Sequence, residues 1–310
     1  MRDSATIIRD YHSEDFKNLV GLETEVHDTE PTGCLISPLE LVESAGRSGH
    51  TSQNRLFIAE RAGEIVGYAE ARPELSIGRV VLRWLVHPKH RRSRIDKKLI
   101  ERTIARTREL GVPRIHANIL QNSFMAKKLL VRMGFTLVRR FLELRLDLCK
   151  SRLQETDNNR LHYRSLQSDE GESLAQLQNR CFAGSWGYNA NTPEEINDRI
   201  HLPSCSPEDI ILAFDADRPI GYCWTRISPQ KNEAPSESIG RIYMLGVDPD
   251  YRGRGLGRQL LLIGLSYLKG KALRVVELTV DHENGPARAL YKSVGFRLWT
   301  SSLWYEKRLD

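Results

Sequence analysis

Residues 56–72 read LFIAERAGEIVGYAEAR, two runs of alternating apolar and polar positions about an Ala62-Gly63 turn, which predicts a strand hairpin. The pattern returns at 210–226, IILAFDADRPIGYCWTR, about Asp217-Arg218-Pro219. After each hairpin an apolar strand ends in a VxP element, VHPKHRR at 86–92 and VDPDYRG at 247–253, and a helical period of apolar residues follows. Both copies therefore predict the same order. A short strand (5–10; 161–166) precedes a helical region, the hairpin and a strand (79–86; 241–247). A long helix (95–110; 257–270), a strand (114–120; 274–281), a short helix (124–133; 285–294) and closing strands (135–148; 296–309) complete each copy. In the second copy Thr192-Pro193-Glu194-Glu195 is a helix-start signature.

From the VxP element to the Gly-Phe pair (MGF at 133–135, VGF at 294–296) the copies keep one offset of 161 residues. The chain is one unit written twice, an α/β protein of two tandem domains, each a mixed, mostly antiparallel sheet flanked by helices. At 310 residues it accommodates two domains of ordinary size. The expected boundaries are 1–148 and 161–310, joined by the polar stretch CKSRLQETDNNR at 149–160.

Charge separates the copies. Residues 1–150 hold 26 Lys+Arg against 19 Asp+Glu, residues 151–310 hold 20 against 21, and the total is +6. The basic excess centres on Lys89–Lys98 and has no interleaved aromatics, so it reads as a solvated helix face and not a nucleic-acid platform. No stretch is apolar enough to span a bilayer, and MRDSATIIRD has no secretory apolar core, so a cytoplasmic location is expected. Cys34, Cys149, Cys181, Cys205 and Cys223 form no CxxC, so neither a metal site nor a disulfide framework is expected.

The candidate chemistry begins at YRGRGLGRQLLL, residues 251–262. Gly253, Gly255 and Gly257 stand at the mouth of the predicted helix with Arg252, Arg254 and Arg258 around them. A helix N-terminus offers free N–H groups and the positive end of the macrodipole, and glycine lets an anion approach them. GRGLG fits neither a Walker loop, which needs GK[ST], nor a GxGxxG dinucleotide loop. In the first copy, HRRSRIDKKLIE at 90–101, the apolar stripe Ile95, Leu99, Ile100 and Ile104 survives, but Gly255 is matched by Arg94 and Gly257 by Asp96.

LGVDPDYRGRGLGRQLL together with NGPARALYKSVGF at 284–296 resembles the GNAT acetyltransferase superfamily, whose pattern is LxVxPxxRxxGxG followed by NxxAxxLYxxxGF. Within it, the tandem layout, GYCWTR and IYMLGVDP are similar to the mycothiol synthase branch. The resemblance covers most of 161–310 and is mainly architectural over 1–148. It implies an acetyl-CoA-dependent N-acetyltransferase with one working site in the second domain. The cofactor is expected at Leu245, Gly246, Val247, Arg252, Gly253, Arg254, Gly255, Leu256, Gly257, Arg258, Asn284 and Tyr291. The alternative is a non-catalytic acetyl-CoA-binding sensor. The Tyr291 phenol is expected to protonate the departing thiolate; the first copy has Leu130 at that place. The family's glutamate before the VxP element is replaced by Arg241, which cannot accept a proton at working pH. Glu237 is the nearest candidate base, with Asp281, His282 and Glu283 behind it. Trp186 and Tyr188, in GSWGYN, are candidates for the acceptor wall. The expected partner is a small-molecule or peptide amine, with no nucleic acid and no membrane. The chain is expected as a monomer with internal pseudo-symmetry or as a homodimer.

Overall fold

A computed structural model describes residues 5–29, 55–151, 161–202, 205–227 and 238–310. In chain order the elements are β1 (Ile7–Asp10), α1 (Phe16–Thr29), β2 (Leu56–Arg61), β3 (Glu64–Glu74), β4 (Arg79–Val86), α2 (Ile95–Glu109), β5 (Arg114–Leu120), α3 (Phe124–Arg132) and β6 (Thr136–Asp147). The second copy gives β7 (His162–Ser165), α4 (Gly171–Phe182), α5 (Pro193–Ile200), β8 (Ile210–Asp215), β9 (Arg218–Ile227), β10 (Ile239–Val247), α6 (Leu256–Gly270), β11 (Val275–Asp281), α7 (Gly285–Val294) and β12 (Arg297–Arg308). The predicted elements appear within about two residues of their expected limits. At α5 the expected start is a capping box: Thr192 Oγ1 accepts from Glu195 N at 3.2 Å, and Thr192 N donates to the Glu195 carboxylate at 3.0 Å.

The described chain forms two compact units, Met1–Arg140 with Ser301–Asp310, and Phe141–Thr300. In the first, β1, β2, β3 and β4 pair antiparallel in sequence order, β5 joins β4 in parallel, and β12 lies antiparallel beside β5. In the second, β7 to β10 are antiparallel, β11 joins β10 in parallel, and β6 lies antiparallel beside β11. The expected boundaries follow the repeat in the sequence, whereas the compact units differ from it at the closing strands. β6 ends the first copy but buries Leu142, Leu144 and Leu146 in the second unit's core. β12 ends the second copy but buries Leu303 and Tyr305 in the first unit's core. Both strands alternate apolar and polar residues, so either sheet satisfies either pattern.

Each unit packs its long helix on one sheet face and its early helices on the other. Ile95, Leu99, Ile100 and Ile104 of α2 lie against β2–β5, and Leu19, Leu22 and Val26 of α1 against Ile58, Tyr68 and Leu85. In the second unit Leu260, Leu261, Leu265 and Leu268 of α6 build one core. Leu174 and Leu177 of α4 and Ile196 and Ile200 of α5 build the other, on Leu212, Tyr222 and Trp224. At about 1.5–3 kcal/mol per buried large apolar side chain, these stripes hold the sheets on which the site stands.

Candidate active site

The loop between β10 and α6 is pinned at its start. Asp248, with a side chain 1% exposed, takes Arg180 at 2.9 Å, Arg218 at 2.9 Å and the amide of Asp250 at 3.1 Å. The hydrogen bond from Arg180, offsetting the cost of burial, holds this carboxyl below the ordinary aspartate range. Beyond it Gly253 and Gly255 have φ of 78° and 81°, the left-handed region that glycine enters without a Cβ penalty. Gly255 is the N-cap of α6, and no side chain caps it. A Cβ on Gly253 or Gly255 would meet no atom within 4 Å, so the space before the helix end is open. A Cβ on Gly257 would make only ordinary contacts with Val247 and Leu290, at 3.6 and 3.7 Å.

Three arginines flank these glycines in the chain. Arg252 fixes the loop to the Cys181 carbonyl at 2.6 Å and the Val247 carbonyl at 3.2 Å. Arg254 donates to the Asp250 carbonyl and lies 5.1 Å from the Tyr251 ring centroid, and Arg258 donates to Ser293. Uncapped N–H groups, a cleared approach and fixed cations suit a diphosphate.

Beside the loop the sheet is split. β10 pairs with β11 only over Ile239–Arg241 and Val275–Glu277, while its other edge stays paired with β9 as far as Val247. Leu245, Gly246 and Val247 therefore present an open strand edge to the gap, a form of edge that takes an extended ligand. The β9–β10 register shifts between Ile242 and Met244, so Tyr243 is an extra residue in β10.

The first unit has the same split, since β4 pairs with β5 only over Val80–Leu82, but fills it differently. Arg94 holds the left-handed turn without glycine, at φ 60°. The Asp96 carboxylate, in the first turn of α2, accepts from Trp84 Nε1 at 3.0 Å. By the repeat offset Trp84 matches Leu245 and Asp96 matches Gly257, so an indole and a carboxylate stand where the second unit is open.

Tyr291 lies on α7, buried, with its ring edge-on to Phe296 at 5.8 Å. Burial, with a smaller contribution from Cys223, raises its pKa, so the phenol stays protonated at neutral pH. Asn284 caps α7, its Oδ1 accepting from Ala287 N at 3.1 Å. Tyr188 donates to Asn179 at 2.8 Å and stacks on Phe182, which ties down the loop after α4. Trp186 packs on Phe141 of β6, ring centroids 5.9 Å apart. Glu237 lies outside the described residues. Asp281 accepts from Glu283 N in the turn before α7, and His282 and Glu283 are exposed.

Sequence reasoning singled out Arg241 but missed its partners where the split closes. Arg241 donates to Thr279 Oγ1 and lies 3.7 Å from the Glu143 carboxylate, and Thr279 Oγ1 donates to Glu143 Oε2 at 2.7 Å. Next to them Glu277 is held by Arg145 at 2.5 Å, and the Arg145 guanidinium lies 3.4 Å from the Trp299 ring centroid. Glu143 and Arg145 come from β6, over a hundred residues upstream, and no local spacing signals them.

Residues 20–135 and 171–296 match the family model described as the acetyltransferase (GNAT) family. A mycothiol acetyltransferase of Thermomonospora curvata is 31% identical over 273 residues, covering 87% of this chain and 88% of the relative. One from Thermobifida fusca is 40% identical over 140 residues, covering 44% of this chain and 43% of the relative. Among solved structures, a GCN5-related N-acetyltransferase from Sphaerobacter thermophilus aligns with TM-score 0.74 at 19% identity, over 98% of this chain and 95% of that one. A tandem GNAT protein from the clavulanic acid biosynthesis pathway aligns with TM-score 0.75 at 15% identity, over 98% of both chains. At these identities the structures speak for the fold alone.

Proposed function

The chain belongs to the acetyltransferase (GNAT) family and is an N-acetyltransferase; on that premise we propose that it moves the acetyl group of acetyl-CoA to a primary amine, at one site, in the second unit. The observation that carries this reading is the contrast at the helix ends. α6 opens on left-handed glycines with clear space before it, whereas α2 opens on Arg94 with Asp96 in its first turn. The N–H groups at Gly253–Gly257 and the arginines at 252, 254 and 258 would hold the diphosphate, and the open edge Leu245–Val247 would take the extended arm. Acetyl-CoA supplies the activated acyl carbonyl. The strand backbone at Leu245–Val247 would supply the oxyanion donor, and Tyr291, kept protonated by burial, would donate to the leaving thiolate.

Trp186, beside Phe141, forms part of the acceptor wall, while Tyr188 shapes the loop that carries it. The test is calorimetry with acetyl-CoA, followed by CoA release with a set of primary amines. One binding site per chain and amine-dependent release are expected. Binding without release under any amine would instead make the chain a sensor, the reading that Arg241 in place of a glutamate favours.

A further inference from the structure

Resting on that reading, we propose that the proton of the acceptor amine leaves through Thr279 to Glu143, a carboxylate supplied by the strand that ends the first copy. The parallel β10–β11 ladder ends at Arg241 opposite Glu277. Successive side chains of a strand alternate faces, so the next residue on the Glu277 face is Thr279, at the point where the strands part. Thr279 is half-buried and Glu143 is 3% exposed, so of the pair the threonine is the more accessible from the gap.

Hydroxyl stoichiometry supports the assignment. Threonine has one donor proton and two acceptor lone pairs. The hydroxyl donates its proton to Glu143 Oε2 at 2.7 Å, and one lone pair takes a hydrogen bond from Arg241. The other lone pair can accept an N–H from an amine in the gap. Glu277, the other buried carboxylate here, already receives two nitrogens of Arg145, at 2.5 and 2.8 Å.

In the transfer one N–H bond of the ammonium breaks and its electron pair stays on nitrogen. Thr279 Oγ takes that proton as its own passes to Glu143, so threonine ends as it began and Glu143 becomes a neutral acid. Arg241 acts on both ends of the transfer: it compensates the buried carboxylate, and it disfavours a second cation beside it, which favours the neutral amine. An arginine that cannot be a base thus positions one. Thr279 touches the amine, and Glu143 acts through it.

The test compares ethanolamine, protonated at neutral pH, with trifluoroethylamine, largely neutral there, as acceptors for the full chain. Glu143→Gln and Thr279→Val should lower kcat for ethanolamine by about 10²–10⁴-fold and flatten the acid limb of its pH profile. The rate with trifluoroethylamine and the affinity for acetyl-CoA should change little, and Thr279→Ser should restore the ethanolamine rate. Equal losses with both amines, unchanged rates, or Thr279→Ser behaving like the valine variant would overturn the relay and leave the transferase intact. A wild-type chain that binds acetyl-CoA but acetylates neither amine would overturn the transferase reading itself.

Discussion

β4 and β10 hold the same place in the two units, between a hairpin strand and a parallel neighbour, and differ by one residue. The β3–β4 ladder runs unbroken from Gly67 opposite Val86 to Glu74 opposite Arg79. The β9–β10 ladder jumps at Tyr243, although both strands enter their parallel pairing at equivalent points, Val81 opposite His116 and Arg241 opposite Glu277. The bulge lets Tyr243 and Met244 share a face, Tyr243 against the Trp224 ring and Met244 against Gln178 and Tyr222. The unbroken strand of the first unit instead goes with an arginine turn and a Trp84–Asp96 bond across its split. The helix stripes are alike in both units, so packing and chemistry rest on separable sets of positions: apolar residues that fill a core, and a few backbone irregularities that open a site.

The contrast can be tested by breaking it. The largest effect belongs to the closing strands. Residues 149–310 alone lack β6 and so lose Leu142, Leu144, Leu146 and Leu148 from the second core. At about 1.5–3 kcal/mol for each, the loss rivals the whole stability of a domain. That fragment should show no cooperative thermal transition by circular dichroism, and a sharp one shifted by acetyl-CoA would refute the role given to β6.

Next is Tyr291→Phe, which should lower turnover by about 10²–10⁴-fold with acetyl-CoA affinity and melting temperature near normal. The deficit should shrink when the leaving thiol is made more acidic, and a uniform deficit would mark Tyr291 as packing only. Gly257→Asp imports the first unit's carboxylate. Like charges brought together cost several kcal/mol, so affinity for acetyl-CoA should fall by about a hundredfold or more in calorimetry. An acid in a first helical turn is favourable to the helix, so the melting temperature should hold or rise; full affinity would place the diphosphate elsewhere.

The smallest effect concerns His116, which occupies in the first unit the place of Glu277. Burial, with Arg79 nearby, lowers its pKa to about 4. The unfolded chain takes up this proton near pH 6.5 and the folded chain does not. The contribution is therefore intact above pH 6.5 and falls as pH drops toward 4, by up to about 1.4 kcal/mol per pH unit. Denaturant titrations should show His116→Asn flattening that slope, and an unaltered slope would assign it to other groups.

Much of this was legible beforehand. Period-2 and period-3.6 patterns located the hairpins and long helices, and the glycines located the uncapped end of α6, because these are local properties of a few neighbouring residues. The closing strands were not, since the alternation in β6 and β12 says that a face is buried but not in which sheet. Glu143 was invisible for the same reason: it reaches Arg241 only through the pairing of β6 with β11. The bulge hid in the numbering, because the constant offset of 161 residues holds after Tyr243 and drops by one before it. Trp186 and Tyr188, read together, part company: one packs beside β6 and the other anchors a loop.

The closing strands also order events in time. A ribosome makes β5 well before its antiparallel neighbour Ser302–Arg308, which lies far downstream in the chain. At about 5–20 residues per second, the roughly 160 residues from the end of β6 to the end of β12 take on the order of ten to thirty seconds. Throughout that interval β5 is an uncovered sheet edge, the kind that recruits strands from other chains. The first unit is thus begun well before it can be completed, and slow translation or premature termination in the second half is felt first as aggregation of the first.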